Sequence, residues 1–301
     1  MLQSIVTTLK KQWQYHVLLI PAVVFAIIFS YIPLYGLIIA FQKYIPTTGF
    51  RSPWVGMGNF EYLFRQPNFV RTIWNTFFIA VLKIAGGILV PVVFSLLLNE
   101  IRSTRTKRIF QTVVYMPNFL SWVILAGVMI DILATEGIVN NALVSFFGIA
   151  PINFLSDADV FPWTMIVSDI WKGFGFGTVV YLAALTGIDP GLYEAAVVDG
   201  AKRWKQTVHI TLPLLMPTVV LMTILSLGNV LNAGFDQIYN LYSPIVFKSG
   251  DIIDTYVYRL GIEKAQYSMG TAVGMFKSVI SGVLIILSYY LADRVAGYRV
   301  F

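Results

Sequence analysis

Long apolar runs separated by shorter polar segments dominate the pattern of this chain. Six runs are long enough to cross a hydrocarbon core of about 30 Å, which requires about 20 residues of helix. Because backbone groups in lipid must be paired within the structure, each run is expected to be helical. The predicted spans are roughly 17–41, 72–98, 111–133, 162–187, 211–235 and 271–292. The pattern therefore predicts an all-α, polytopic membrane protein with six transmembrane helices.

The spans are expected to form one domain. Residues 1–16 are a polar, mildly amphipathic N-terminal segment, and residues 17–301 form the predicted transmembrane domain. The first apolar run is too long to be a removed signal peptide, and it lacks a small-residue cleavage site. Pro21, Pro33 and Gly36 are expected to kink the first span. No repeat of about 20–50 residues is visible.

Composition agrees with a membrane protein and narrows the chemistry. The chain is 57% hydrophobic and 12% charged, whereas soluble domains have about 25% charged residues. The absence of cysteine excludes disulfides and thiol chemistry. The two histidines, His16 and His209, are far apart, so no metal site is expected. The net charge of +6 does not imply nucleic acid, because cytoplasmic loops of membrane proteins are rich in Lys and Arg.

The distribution of basic residues predicts the orientation. With the N-terminus inside, the inside segments are the shorter ones and yet hold more Lys and Arg than the outside segments. The segment from Asp131 to Phe161 has neither residue and is predicted to lie outside. Both termini, and the polar stretch after the fourth span, are predicted to be cytoplasmic. The inside set is Lys10, Lys11, Arg102, Arg105, Lys107, Arg108, Lys202, Arg203, Lys205, Arg294 and Arg299.

The polar stretch between the fourth and fifth spans predicts a helix–turn–helix elbow. Asp189 can cap a helix, and Pro190 suits its first turn because the missing N–H is unpaired there anyway. Gly200 then allows a sharp turn. A second helical run carries basic side chains on one face, among them Lys202 and Lys205. We expect the elbow to lie against the membrane surface with a small-residue side shaped for a groove.

Enzymatic signatures are absent. The sequence contains no Gly-Lys dipeptide, so a phosphate-binding Walker A loop cannot be written on it. The glycines at 173, 175 and 177 lie in an apolar span, where small residues let helices approach closely, and are interpreted as packing positions. Neither Gly-x-Ser-x-Gly nor His-Glu-x-x-His occurs. The chain is therefore not expected to be an enzyme.

The elbow also carries a family resemblance. EAAVVDGAKRWKQTVHITLPLLMP resembles the signature loop of ABC-importer membrane subunits, in which Glu-Ala-Ala is followed by Gly and then by Ile-x-Leu-Pro. Other segments, including LLLNEIR, YMPNFLSW and IWKGFGFGTVVYLAALTGIDPGLYEAA, are similar to the carbohydrate-uptake branch. Within it the chain looks most like permeases for complex and acidic oligosaccharides, such as oligogalacturonides or alginate. The matching elbow residues are Glu194, Ala195, Ala196, Asp199, Gly200, Ile210, Leu212 and Pro213.

The resemblance implies a type I importer permease in the bacterial cytoplasmic (inner) membrane. The elbow, residues 189–212, would dock into a cleft on a separate ATPase subunit through Glu194, Ala195, Ala196, Asp199, Gly200 and Ala201. The implied partners are a second related permease, two ATPase subunits, an extracytoplasmic sugar-binding protein and the lipid bilayer. This chain would hold no cofactor, because ATP and Mg would bind the ATPase. The residues alone leave open an interfacial amphipathic helix without a partner.

Polar residues within the spans suggest a substrate pathway, because such groups are costly in lipid. By similarity to the maltose-type importer, the cavity would be lined by Asn118, Trp122, Asp169, Lys172, Gly173, Asn229 and Asn232. Amides can hydrogen-bond sugar hydroxyls, and indole faces can stack on pyranose rings. The alternative is that these groups satisfy one another between helices, with Lys172 neutralising Asp169.

The charges favour an acidic oligosaccharide as the substrate. Lys172 and Lys277 lie within spans and would suit a carboxylated sugar if they face the cavity. The outer segment 42–71 is also basic. A self-sufficient secondary transporter remains as an alternative, although inverted repeats and an intramembrane acid relay are not visible. A membrane scaffold without transport would leave the intramembrane Lys and Asn residues unexplained.

Overall fold

The computed structural model of the protein describes residues 13–296. Over that range the fold is almost entirely helical, and the only strand-like pairings are two isolated bridges, Gln42–Trp54 and Ile45–Gly49. The predicted all-α class is confirmed. Of the N-terminal segment 1–16, only residues 13–16 fall within the described range. The described residues divide into two compact units, one within residues 1–65 and 257–275 and the other within residues 66–256 and 276–301.

The first unit begins with the long apolar helix α1 (Trp13–Phe41). It is an α-helix to Ala26, a π-turn over Ile27–Tyr31 and a 3-10 helix over Ile32–Phe41. The hydrogen-bonding pattern changes next to Pro33, because proline has no N–H to donate to the preceding turn. The most apolar stretch of α1 is not covered by the described residues, which is typical of a surface that faces lipid or another chain.

The polar stretch after α1 is ordered by side-chain hydrogen bonds. It contains the short helix α2 (Gly58–Phe64). The buried Asn59 side chain donates from Nδ2 to the carbonyl oxygens of Ala40 and Gln42, at 2.8 Å and 3.0 Å. Gln42 in turn donates from Nε2 to the Phe50 carbonyl at 2.9 Å. This segment is therefore a folded cap on the end of α1.

The second unit holds most of the remaining helices. Its core forms where α3 packs along α7. One cluster of buried residues there includes α5 and α10, and a second cluster includes α9. Two further helices, α12 and α13, contain residues of both units. The helices are α3 (Pro67–Glu100), α4 (Thr104–Tyr115), α5 (Trp122–Ile132), α6 (Ile138–Phe147), α7 (Phe161–Thr186), α8 (Pro190–Val198), α9 (Arg203–Leu227), α10 (Phe235–Leu241), α11 (Phe247–Gly250), α12 (Ile253–Tyr258) and α13 (Tyr267–Ala296).

Glycines in α7 allow the close helix packing that the sequence predicted. A Cβ on Gly175 would overlap the carbonyl oxygen of Val114 in α4. A Cβ on Gly177 would lie 3.2 Å from the Pro91 ring of α3. Their interpretation as packing positions is confirmed. Gly173 differs, because nothing lies within 4 Å of the position its Cβ would take.

Four described helices are long and apolar enough to cross a membrane, namely α1, α3, α9 and α13. A fifth crossing is formed if Thr104–Phe119 and Trp122–Ile132 count as one span, although they meet at an angle of 104°. The 26-residue helix α7 is not among them, because Asp169, Lys172 and its small residues lower its hydropathy. The count of six spans therefore stays a prediction.

Two spans that were expected to be continuous helices are broken. The predicted third span bends at a 3-10 turn, Met116–Phe119, where Pro117 interrupts the α pattern and Ser121 caps the next helix. The predicted fifth span is helical only to Leu227, and Gly228–Gly234 form a turn and an irregular segment before α10. Glycine and asparagine are poor helix formers, and this segment, here called the α9–α10 break, contains two of each.

Candidate functional site: a polar cavity and an exposed elbow

The α9–α10 break forms one wall of a polar cavity. The cavity has a volume of about 440 Å³ and is bounded by α3, α7, the end of α9 and the break. Irregular backbone at membrane depth is tolerated where it lines such a cavity. Its lining residues are Ala80, Lys83, Ile84, Gly87, Asp169, Leu225, Ser226, Asn229, Asn232, Ala233 and Gly234. Three of the seven predicted pathway residues, Asp169, Asn229 and Asn232, are therefore brought together.

Asn229 and Asn232 fall within the predicted fifth span, 211–235, but the helix ends at Leu227, before both of them. Both lie on the α9–α10 break and are exposed. Asn232 donates from Nδ2 to Oδ1 of Asn229 at 3.2 Å. The Oδ1 atom of Asn232 accepts from Nζ of Lys277 at 2.8 Å. The side-chain amides of Asn229 and Asn232 are here called the Asn ledge. Their remaining donors and acceptors are open to a ligand.

The counter-ion of Asp169 is Lys83, which the sequence interpretation did not select. Nζ of Lys83 lies 3.5 Å from Oδ1 of Asp169, and it also donates to the Ala233 carbonyl at 2.8 Å and to Oε1 of Gln237. Lys83 is buried, whereas Asp169 is partly open to the cavity. The suggestion that Lys172 neutralises Asp169 is therefore wrong. A buried ammonium needs such partners, because its desolvation is costly.

Lys277 is also compensated within the chain. Its Nζ lies 2.5 Å from Oδ1 of Asp254, and both side chains are largely buried. This pair joins α13 to α12 and holds the Lys277 ammonium against Asn232. Lys277 is therefore a structural anchor at the edge of the Asn ledge rather than an uncompensated charge.

Lys172, Trp122 and Asn118 form a second polar group at the bend between α4 and α5, and none of them lines the 440 Å³ cavity. Nζ of Lys172 lies 5.5 Å from the centroid of the Trp122 ring and donates to the Asn118 carbonyl at 3.3 Å. No carboxylate of residues 13–296 forms a salt bridge with it. The ammonium is thus held by an aromatic face and one carbonyl. Gly173 follows it on α7 and is half-buried.

The elbow begins as predicted, with a capped helix. Oδ1 of Asp189 accepts a hydrogen bond from the Gly191 amide at 2.9 Å, and Pro190 is the first residue of α8. The helix ends in a Schellman motif. The Gly200 amide donates to the Val197 carbonyl at 3.0 Å, and the Ala201 amide donates to the Ala196 carbonyl at 2.8 Å.

Gly200 is the residue that makes this ending possible, because its φ of +76° lies in the left-handed region. The second arm of the elbow is not a separate helix, however. It is the first turn of α9, which starts at Arg203 and passes through a π-turn at Thr207–Thr211 into the apolar part of the helix. Ala201 and Lys202 precede α9 and form the corner.

The surface of the elbow is exposed and partly apolar. Glu194, Ala195 and Asp199 are exposed, and Ala196 is half-buried. Val198 is 87% exposed and Trp204 is 77% exposed. Nothing in the described part of the chain covers these two apolar side chains or forms a salt bridge with Glu194.

The elbow is fixed to the helices by two polar contacts. The hydroxyl groups of Tyr193 and Thr211 lie 2.9 Å apart and join α8 to α9. Nη1 of Arg203 donates to Oε2 of Glu100 at 2.8 Å and joins the start of α9 to the end of α3. These two contacts attach the elbow to the long helices α3 and α9.

Apolar helices surround a polar cavity, and an exposed elbow is attached to two of them, an arrangement that fits a membrane transport protein. Residues 87–297 match the family of binding-protein-dependent transport system inner membrane components, and the chain belongs to this family. It is accordingly a multi-pass protein of the inner membrane.

Two curated proteins of Bacillus subtilis (strain 168) are similar over nearly the whole chain. Protein LplB is 40% identical, over 97% of this chain and 92% of its own length. The polygalacturonan/rhamnogalacturonan transport system permease protein YteP is 39% identical, over 95% of this chain and 89% of its own.

A solved structure shares both the fold and the sequence. It is the crystal structure of a bacterial alginate ABC transporter in complex with alginate pentasaccharide-bound periplasmic protein. One of its chains is 37% identical, with a TM-score of 0.89, over 98% of this chain and 99% of that chain. The resemblance to ABC permeases of the carbohydrate-uptake branch is confirmed.

The sequence interpretation did not select the residues that hold the α9–α10 break in place. Lys83, Gln237 and Ser168 form a hydrogen-bonded group beside Gly234, the last residue of the α9–α10 break. Lys83 gives the same signal as Lys172 and Lys277, a basic residue inside an apolar run, and could have been found by that criterion. Gln237 and Ser168 are ordinary polar residues whose role depends on contacts between distant parts of the chain.

Proposed function

We propose that the protein is the permease subunit of an importer for acidic oligosaccharides and forms half of the translocation pathway. In this proposal a separate ATPase supplies the energy, and the elbow couples that ATPase to the helices. The observation that carries the proposal is the polar cavity at the α9–α10 break. The Asn ledge, a carboxylate and a hydroxyl of this cavity together offer the donors and acceptors that sugar hydroxyls require.

The substrate class is supported by the relatives and by one uncompensated charge. YteP is named for polygalacturonan and rhamnogalacturonan, and the solved transporter carries alginate, all of which contain uronic acids. Of the three lysines that the sequence places within spans, Lys83 and Lys277 have carboxylate partners in the described structure, whereas Lys172 has none. Lys172 beside Trp122 would therefore meet a uronate carboxylate while the indole contacts the sugar ring.

The elbow supports the coupling part of the proposal. Its exposed surface combines a carboxylate, small residues and apolar side chains, a composition suited to a cleft on another protein. Ala195, Ala196, Gly200 and Ala201 allow close approach, and Glu194 can pair with a basic residue on the ATPase. Asp199 directly precedes the sharp turn and helps to expose that turn to the ATPase. These roles rest on the resemblance and on the exposure of the residues.

The remaining partners follow from the family and from the single elbow. The proposed assembly contains a second related permease, two ATPase subunits and an extracytoplasmic sugar-binding protein. The solved transporter was crystallised with a periplasmic protein. ATP and Mg would bind the ATPase subunits, so this chain would need no cofactor. Both termini and the elbow would face the cytoplasm.

Replacing Lys172 by Ala tests charge recognition. We expect uptake of a uronate chain to fall about tenfold or more, because a charge-assisted contact contributes about 1.5–3 kcal/mol, while uptake of a neutral chain of equal length falls much less. Transport by the assembled system in membrane vesicles would be measured for both sugars. Lys264→Ala, at an exposed lysine, is the matched control. Equal losses of uptake for both sugars would show that Lys172 does not recognise the charge of the substrate.

Replacing Glu194 by Lys tests the coupling role. We expect the variant to reach the membrane but to lose co-purification with the ATPase, because a buried charge opposite a basic partner would then be repelled. Glu136→Lys makes the same change at another exposed glutamate and should leave co-purification intact. Unchanged ATPase binding by Glu194→Lys would exclude Glu194 from the interface, and solute accumulation by the chain alone would favour a secondary transporter.

A further inference from the structure

We infer that Lys83 is a positioning residue that holds the α9–α10 break in place as a wall of the cavity, together with Gln237 and Gly234. By this means it sets the direction in which Asn229 faces the pathway. The inference deepens the proposed function, since it takes the cavity to be part of the pathway. The contacts that carry it do not depend on which solute is transported.

The break leaves backbone groups that need partners. Carbonyls at the end of a helix lose their intrahelical donors, and in an apolar surrounding they must be satisfied by other groups. Within the break, Ala233 is fully buried, and its carbonyl oxygen accepts from Nζ of Lys83 at 2.8 Å. A side chain from α3 thus supplies the hydrogen bond that the irregular segment itself lacks.

Gln237 extends this contact to a third helix. It lies on α10, just after the break, and is fully buried. Its Nε2 donates to the Met165 carbonyl at 2.8 Å and to Oγ of Ser168 at 2.7 Å, both on α7. Its Oε1 accepts from Lys83. Each end of the amide therefore has a fixed role, and α3, α7 and α10 meet at one side chain.

Gly234 gives independent support, because the backbone beside Lys83 has no room for a side chain. Its φ of +95° lies in the left-handed region, which disfavours other residues. A Cβ at this position would lie 2.9 Å from Nζ of Lys83 and 3.5 Å from Oε1 of Gln237. The glycine thus lets the ammonium approach the last turn of the break.

The geometry also separates this role from direct substrate binding. An ammonium has three donors, and those of Lys83 face Ala233, Gln237 and Asp169. The carboxylate of Asp169 is the member of the pair that is open to the cavity. Lys83 borders the cavity, but its donors are already engaged within the chain, so a ligand would bind to Asp169 and the Asn ledge instead.

The natural absence of cysteine allows a direct test in the full transporter. Asn229→Cys places a thiol on the break, and Leu225→Cys places one on the part of α9 that lines the same cavity. Each would be introduced with and without Lys83→Met, and the rate of modification by a charged methanethiosulfonate would be measured in membrane vesicles. No substrate or ATP is required, so failure of the uptake test with Lys172→Ala would leave this measurement standing.

We expect Lys83→Met to change the modification rate at position 229 by about tenfold or more, since losing a charge-assisted hydrogen bond releases the segment. The rate at position 225 should stay within about twofold. Lys264→Met is the matched control at an exposed lysine. Equal changes at both positions would show a general structural defect, and an unchanged rate at 229 would show that the break holds itself. Either result would overturn the inference.

Gly234→Ala provides a second route, which decides the matter if Lys83→Met fails to assemble. It should also shift the rate at position 229, because its Cβ displaces the ammonium. Gly148→Ala has a comparable left-handed backbone, with φ of +67°, but nothing lies within 4 Å of its Cβ position. It should leave the rate at 229 unchanged. An effect of the same size from both alanines would attribute the result to backbone strain rather than to Lys83.

Discussion

The turn of the elbow depends on a few atoms around Gly200. The amides of Gly200 and Ala201 pair with the carbonyls of Val197 and Ala196, and this pairing requires a residue with positive φ at position 200. The spacing from Glu-Ala-Ala to Gly is therefore the distance along the chain that the hydrogen bonds ending this helix require. Ala196 supplies a carbonyl as well as a small side chain, and Gly200 supplies a backbone conformation.

Gly200→Ala is expected to loosen this turn. An alanine in the left-handed region is destabilised by about 1 kcal/mol, which corresponds to roughly a fivefold change in the local opening equilibrium. Hydrogen exchange of the amides at 200 and 201 in the full chain should accelerate by about that factor. Gly282→Ala, on a regular helix with open space around its Cβ position, should not change it. Equal protection in all three chains would contradict the assignment.

The lysines within the apolar helices differ in their partners. Lys83 and Lys277 each find a carboxylate and at least one neutral acceptor. Lys172 finds an indole face and a carbonyl. The difference matters, because an ammonium without a carboxylate keeps its net charge for a ligand.

At the scale of elements, two helices are broken where the predicted spans were continuous. The bend between α4 and α5 places Asn118 and Trp122 beside Lys172. The α9–α10 break places Asn229 and Asn232 at the cavity. Both interruptions carry polar residues inside apolar surroundings, which is how discontinuous helices form sites in other transporters.

Close packing of α4 against α7 fixes the first of these breaks. A Cβ at Gly175 would overlap the Val114 carbonyl, which is backbone and cannot rotate away. We expect Gly175→Ala to lower stability by about 1–3 kcal/mol, as overpacking does in other cores. The measurement is the thermal midpoint of the purified full chain in detergent. Gly127→Ala has open space at its Cβ position and should be neutral, and a neutral Gly175→Ala would disprove the tight contact.

At the scale of the whole molecule, orientation decides which surfaces meet which partners. The basic residues of segments 100–108 and 202–205 predict that the elbow faces the cytoplasm, where an ATPase would be found. The salt bridge between Glu100 and Arg203 places these two segments at the same end of the helices. A single orientation therefore accounts for both basic segments.

Cysteine labelling of intact cells tests this orientation. Arg105→Cys and Glu136→Cys both place a thiol at an exposed position in a chain that otherwise has none. With an impermeant maleimide, we expect at least tenfold more labelling at 136 than at 105, because a charged reagent does not cross the bilayer. After permeabilisation both should react equally. Preferential labelling at 105 in intact cells would reverse the predicted topology and remove the basis for coupling.

Much of the fold could be read locally. The cap at Asp189 and the turn at Gly200 depend on neighbouring residues, and both are found where the sequence indicated. The apolar runs are helical as predicted, although two of them are interrupted. The site could be read only in part. Asp169, Asn229 and Asn232 do line the cavity, whereas Asn118, Trp122, Lys172 and Gly173 do not. The substrate and coupling roles of all these residues stay predictions.

The sequence by itself determined that the protein is helical, apolar and built around a capped elbow, because these properties arise from the order of side chains along a few turns. Only the tertiary structure decided that Lys83 neutralises Asp169 and that the helix before Asn229 stops at Leu227. Those outcomes depend on which buried groups meet across α3, α7 and α10. A buried ammonium is satisfied by whichever acceptors the packed helices bring within reach, and the spacing of residues along one helix does not specify them.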